Sequence, residues 1–269
     1  MNNHSLPISI FLRIRAAIKA GALHFIGSTF IATLAGALVF LVWYPHPYGL
    51  LSGGLSLFLI LICVDVICGP LLMVIIYNPK KSRRELFIDI SCVILIQLGA
   101  LIYGMYMVYQ ARPLFLVHEV DRFRVIGKPD YKNFDVDAQL RNLDLTIRPR
   151  WFIGPATVGI RNPMDNAERQ KIMLDSVFGG RDYAERPEFY VPYNSDYKEK
   201  AMARAKPLAA FAHHFPGTTE KANKILQNSN ISFGDAYFLP VVGRQDWVAI
   251  LDDSARILGF LPGDGFLVP

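Results

Sequence analysis

The chain has 269 residues, 52% of them apolar, with 28 basic and 23 acidic side chains. Its first 110 positions hold 7 basic and 3 acidic residues and the remainder 21 and 20, so the positive excess lies in the apolar part, and the balanced part lacks the basic striping that a nucleic-acid partner requires. All three cysteines, Cys63, Cys68 and Cys92, fall in apolar runs, which leaves the polar part without a disulfide framework or a cysteine zinc site.

In chain order, residues 1–21 form a basic leader carrying Arg13, Arg15 and Lys19. Within it, "ISIFLRIRAAIK" sets Ile10, Ile14, Ala17 and Ile18 on one helical face against Arg15 and Lys19. That pattern fits either a helix lying on the membrane surface or a plain leader that only sets topology. A membrane helix needs about 20 mostly apolar residues, and region 22–110 supplies three: 22–43, 55–77 and 86–109. The first ends at "WYPHP", where aromatic rings suit the headgroup layer and proline stops the helix. Its apolar run exceeds a secretory h-region, and Trp43 and Tyr44 stand where a cleavage site would need small residues, so it reads as an uncleaved anchor.

Lys80, Lys81, Arg83 and Arg84 crowd the second connection, whereas the first, 44–54, has no Lys or Arg. Positive charge marks the cytoplasmic side. The N-terminus is therefore expected inside, and an odd number of spans puts residues 111–269 outside.

Asp65 lies near the middle of the second span, where an aspartate costs about 2.5 to 3.5 kcal/mol on insertion scales. Gln97 of the third span, and Thr29 or Thr33 of the first, fall at a similar depth and are its candidate partners. His24 and Asp89 form a second candidate pair nearer the cytoplasmic face. Asp65 admits two main readings: a hydrogen-bonded staple for three helices, or the floor of a groove that accepts another protein's membrane helix. Proton relay is a poorer fit with so few spans. Pro70, one turn on, should kink the helix, and Gly99 with Gly104 offers a packing surface.

The polar region reads as α+β. "PLFLVHEVDRFRVIG" predicts one or two strands leaving the membrane, with Glu119, Asp121, Arg122 and Arg124 as candidate juxtamembrane contacts. "NAERQKIMLDSVFGG" predicts a helix closed by glycine, "YKEKAMARAKPLAAFAHHF" a helical stretch broken at Pro207, and "YFLPVVGRQDWVAILDDSARILGFLP" a hairpin around "DDSA" with Trp247, Ala249 and Leu251 facing one way. His213 and His214 are adjacent, "GDG" at 263–265 precedes no helix, and Asp252 with Asp253 opens a turn. None makes a catalytic, cofactor or metal constellation, so the expectation is no enzyme and no cofactor.

Five motifs, "FLVWYP" (40–45), "VDVICGPLL" (64–72), "YNPKKS" (77–82), "MVYQARP" (107–113) and "EVDRFRV" (119–125), together resemble the type IV pilin accessory family (TfpX/TfpZ, FimB-like). The likeness covers roughly residues 20–125, with a weaker echo in the final hairpin and none over 130–230. It implies a bacterial inner-membrane protein with a cytoplasmic N-terminus and a periplasmic C-terminal domain. Its expected partners are type IV pilin, inner-membrane pilus assembly components and lipid, and its expected role is non-catalytic pilin handling and pilus assembly. The alternative is a membrane-tethered periplasmic ligand-binding or sensor module, against which the short cytoplasmic parts weigh.

Overall fold

The computed structural model describes residues 8–131 and 136–269, with side chains from residue 11 onward in the first stretch. The first seven residues of the leader, and the side chain of Ile10, lie outside the described residues. Two compact units emerge, Met1–Phe40 with Leu55–Gln110, and Leu41–Gly54 with Ala111–Pro269.

The first unit is the membrane part. Helix α1 (Ile8–Leu38) continues into a π-turn at Val39–Trp43, and a short α2 (Tyr48–Leu51) lies in the connection. The second span consists of α3 (Gly54–Cys63), a π-turn at Val64–Cys68 and α4 (Gly69–Ile76), and the third is α5 (Arg83–Gln110). Three helices, Phe11–Trp43, Gly54–Ile76 and Arg83–Gln110, are long and apolar enough to cross a membrane. Side chains such as Phe30, Ile60, Leu95 and Ile102 are exposed along them, as surfaces solvated by lipid tails must be.

Residues 8–19 form no separate surface helix, because they run straight into the first span. Gly21, the one residue that could break the helix there, is used for contact instead: a Cβ on it would stand 2.6 Å from Val74 Cγ2 and 3.1 Å from the Pro70 carbonyl oxygen. Helix α5 starts with a reciprocal cap, in which Glu85 N–H donates to Ser82 Oγ (3.3 Å) and Ser82 N–H donates to Glu85 Oε2 (3.0 Å).

The second unit is an eight-stranded mixed sheet with helices. Its strands are β1 (Pro113–Glu119), β2 (Arg122–Gly127), β3 (Ala156–Ile160), β4 (Tyr190–Pro192), β5 (Lys206–Pro207), β6 (Tyr237–Val242), β7 (Trp247–Leu251) and β8 (Ile257–Pro262). The order is β4-β3-β1-β2-β6-β7-β8, with β5 paired to β6. The β1–β3 and β2–β6 pairs are parallel and the others antiparallel. Helices α6 (Val136–Asn142), α7 (Asn166–Val177), α8 (Lys198–Met202), α9 (Leu208–His214) and α10 (Thr219–Ser229) complete it.

The glycine-closed helix is α7, capped by Asp165, whose carboxylate accepts from Glu168 N–H. Pro207 separates α8 from α9. The terminal segment is not one hairpin but a three-stranded meander, because "GRQD" turns the chain before "DDSA" does. Strand β7 is buried on both faces: Trp247, Ala249 and Leu251 join one core cluster, while Val248 and Ile250 join another with Leu208, Phe211 and Leu226. Asp252 makes the second turn by accepting from Ser254 N–H, Ser254 Oγ and Arg256 N–H (3.0, 2.7 and 2.8 Å).

The connection between the first two spans is part of the sheet domain's core. Leu51 and Tyr44 are fully buried and Tyr48 nearly so, and Tyr48 and Leu51 pack with Leu116, Phe123, Leu239, Val241 and Trp247. The Leu51 carbonyl accepts from Arg244 N–H at 2.5 Å. A Cβ on Gly243 would meet that same carbonyl at 2.5 Å, so glycine is what admits the segment.

His118, on β1, is also buried in this domain. Its Nδ1 lies 3.1 Å from Tyr197 Oη, and its ring sits against Phe123 and Tyr197 at 5.3 and 5.4 Å. Burial, helped by Lys200 and opposed by Asp121, lowers its pKa to about 4. An unfolded histidine titrates near 6.5. The neutral ring therefore contributes stability that is complete above that value and is lost as pH falls toward 4, by up to about 3 kcal/mol. Denaturant unfolding of the sheet domain in the full-length protein should show its midpoint dropping across this window, and His118→Phe should flatten that part of the profile. An unchanged slope in the variant would locate the pH sensitivity elsewhere.

Candidate functional site

The chemistry of the membrane unit converges on one turn. In the π register the backbone donor for the Asp65 carbonyl would come from residue 70, and Pro70 has no N–H. Gln97 supplies the missing donor from α5, its Nε2 donating to the Asp65 carbonyl at 3.1 Å. Gly69 makes this geometrically possible. A Cβ there would run into the Gln97 amide and lie 2.8 Å from His24 Nε2, so the two polar side chains, from α5 and α1, occupy the space a side chain would fill.

Asp65 is buried, at 7% exposure. Its Oδ1, Gln97 Oε1 and His24 Nε2 are all buried without a hydrogen-bond partner among the described residues, a costly state in hydrocarbon. All three side chains line one cavity of about 200 Å³. Its α1 wall is His24, Gly27, Ser28, Ile31 and Ala32, its floor Ile62 and Asp65, and its α5 wall Ile94, Gln97, Leu98 and Leu101. A Cβ on Gly27 would meet nothing within 4 Å, so the small residues of α1 stand open there, in the pattern that lets another helix approach closely.

The sequence-derived candidates separate as follows. Asp65, Gln97 and Pro70 come together, but Gln97 reaches the backbone carbonyl of Asp65 and not its carboxylate. His24 joins this group instead of pairing with Asp89, because Asp89 is held by Lys81 at 2.5 Å. Thr29 and Thr33 are not partners of Asp65: Thr33 Oγ1 donates to the Thr29 carbonyl within its own helix (2.8 Å). Counting residues from span ends gives depth but not the rotation of each helix, which is why those two assignments fail. The departure from α geometry begins on the turn holding Asp65, ahead of Pro70. Gly104 takes the side chain of Leu61, whereas Gly99 has nothing within 4 Å. Among the basic residues, Arg13, Arg15 and Lys19 lie on α1, Lys80 and Lys81 in the second connection, and Arg83 and Arg84 open α5.

Glu119, Asp121, Arg122 and Arg124 sit at the tip of the β1–β2 hairpin and none is fully exposed. Arg124 donates to Asp182 (2.8 Å) and Glu185 (3.0 Å). Arg122 donates to Asp121 (2.7 Å) and lies 4.6 Å over the Phe266 ring. Burial raises the pKa of Glu119 against the pull of Arg124 and Arg122. These charges are largely satisfied inside the domain, and the tip lies about 20 Å along β1 from Pro113, where the strand leaves the third span.

A family model for the fimbrial assembly protein FimB matches residues 12–53, the stretch that contains the α1 wall of the cavity and the connection built into the sheet domain. The fimbrial assembly protein of Dichelobacter nodosus serogroup I is 37% identical over 253 residues, covering 93% of this chain and 96% of the relative. Its serogroup E1 counterpart is 36% identical over the same length and shares. A third, from serogroups C1 and C2, is 46% identical over 114 residues, 42% of this chain and 87% of the relative. No solved structure matches the chain. A likeness that runs nearly end to end through both the membrane helices and the sheet places this chain in the fimbrial assembly protein (FimB) family.

Proposed function

We propose that this protein is a non-catalytic accessory factor of pilus assembly, held in the bacterial inner membrane with its N-terminus in the cytoplasm and its sheet domain in the periplasm. There it keeps the apolar N-terminal helix of a type IV pilin against the cavity between α1 and α5. The names of its relatives support the assembly role. The basic second connection and the neutral first one support the orientation. So does the burial of residues 44–51 in the sheet domain, because one folded body cannot lie on both sides of a bilayer.

The observation that carries the pilin reading is the set of unpaired buried polar atoms turned into one lipid-level cavity. Asp65 Oδ1 and Gln97 Oε1 lack partners among the described residues, and an amide oxygen can only accept. An approaching helix that presents a hydroxyl, amide or amine donor at that depth relieves the penalty, and the small residues of α1 let its backbone come near.

Photo-crosslinking amino acids at Ile31 and Leu101, on opposite walls of the cavity, test this in cells making pilin. Adducts with pilin are expected from both positions and not from Ile96, which is 71% exposed on the lipid-facing side. Lipid adducts alone, or equal capture from Ile96, would contradict the reading.

A further inference from the structure

We propose that residues 145–153 form a lipid-inserting loop, a monotopic attachment of the sheet domain to the bilayer surface beside the end of the first span. The segment "LTIRPRWFI" has no helix or strand, yet Phe152 is 70%, Leu145 66% and Ile153 57% exposed, with Trp151 at 45%. Four large apolar side chains bare on one short loop exceed what a water-facing turn carries.

The loop's position within its own domain says what covers it. The Trp151 ring lies 6.0 Å from that of Trp43, edge to face, and a Cβ on Gly154 would stand 2.7 Å from Pro45 Cγ. Trp43 is the last residue of a membrane span, so the loop packs on the residue at which the chain leaves the hydrocarbon. Indole and phenyl rings at that level belong to the headgroup boundary. Trp151 and Phe152 stack edge to face at 4.1 Å, which makes a stiff wedge.

The charges agree with a lipid occupant. Arg150 is exposed, and its hydrogen bond to the Leu145 carbonyl is long at 3.5 Å. Arg148 is half-buried and donates to the Leu143 carbonyl at 2.9 Å. The exposed guanidinium of Arg150 directly precedes the apolar tips of Trp151, Phe152 and Ile153, an order that suits acyl chains beneath phosphates.

The test uses the full-length chain with its three cysteines replaced by alanine, one copy per nanodisc of phosphatidylglycerol and phosphatidylcholine, so that neither pilin nor a second copy can cover the loop. Nitroxide labels at Phe152→Cys and, separately, Ile153→Cys should be relaxed by oxygen in preference to a water-soluble nickel chelate. At Asn228→Cys, on the exposed side of α10, the ratio should reverse. Nickel access at 152 and 153 equal to that at 228 would overturn the proposal. Because no pilin is present, failure here leaves the cavity reading intact, and failure of that reading leaves this one.

Discussion

A fragment comprising residues 111–269 alone is expected to lack a stable fold, whereas the same fragment with residues 41–54 appended through a flexible linker is expected to fold. Removing the connection strips Tyr44, Tyr48 and Leu51 from the core and takes the acceptor from Arg244 N–H. At about 2 kcal/mol for each buried side chain the loss is about 6 kcal/mol, comparable with the whole stability of a typical domain. The short fragment should give a collapsed amide spectrum and bind hydrophobic dyes. Within the full-length chain, Leu51→Ala should cost about 3 kcal/mol, read as a lower denaturant midpoint. A dispersed spectrum and an unchanged midpoint for residues 111–269 alone would mean the connection only rests on the domain.

The second large effect is expected at Asp65. Asp65→Asn keeps an acceptor oxygen in the cavity and should leave piliation near the native level. Asp65→Leu should lower pilus number roughly tenfold, the equivalent of about 1.4 kcal/mol of lost contact. It should do so without loss of protein, because leucine enters a membrane helix about 3 kcal/mol more easily than aspartate. Counting pili by electron microscopy while following protein level and melting in detergent separates the two readings of this residue. A contact role predicts fewer pili on a sound protein; a staple for three helices predicts a protein that comes apart. Normal piliation with leucine would remove Asp65 from the mechanism.

What could be read from the residues follows from what each environment demands. Lipid leaves so little freedom that three apolar runs parted by one basic loop predict three long apolar helices, and the described residues contain three, the first of which reaches back into the leader. The depth of Asp65 and Gln97 was legible for the same reason. The rotation of each helix is not, and residue counting alone therefore pairs His24 with Asp89 and Thr29 or Thr33 with Asp65. Yet Gly69 next to Pro70 carried a signal: a proline that leaves a carbonyl unbonded, beside a residue with no side chain, marks a place where a polar group from another helix can enter. In the sheet domain, alternation revealed β1 and β2, but β3 and β4 are short and paired to distant strands, and "GRQD" was hidden inside an apolar stretch. The connection at 44–54 reads as a short loop because its length says nothing of its burial. Tyr48 and Leu51, apolar and outside any span, were the only hint.

Everything functional rests on the sheet domain being exported by a three-pass anchor. Alkaline phosphatase and green fluorescent protein, each fused after Pro269, report this directly: the account predicts an active phosphatase and a dark fluorescent protein. A bright fluorescent protein with an inactive phosphatase would place the domain in the cytosol and contradict it.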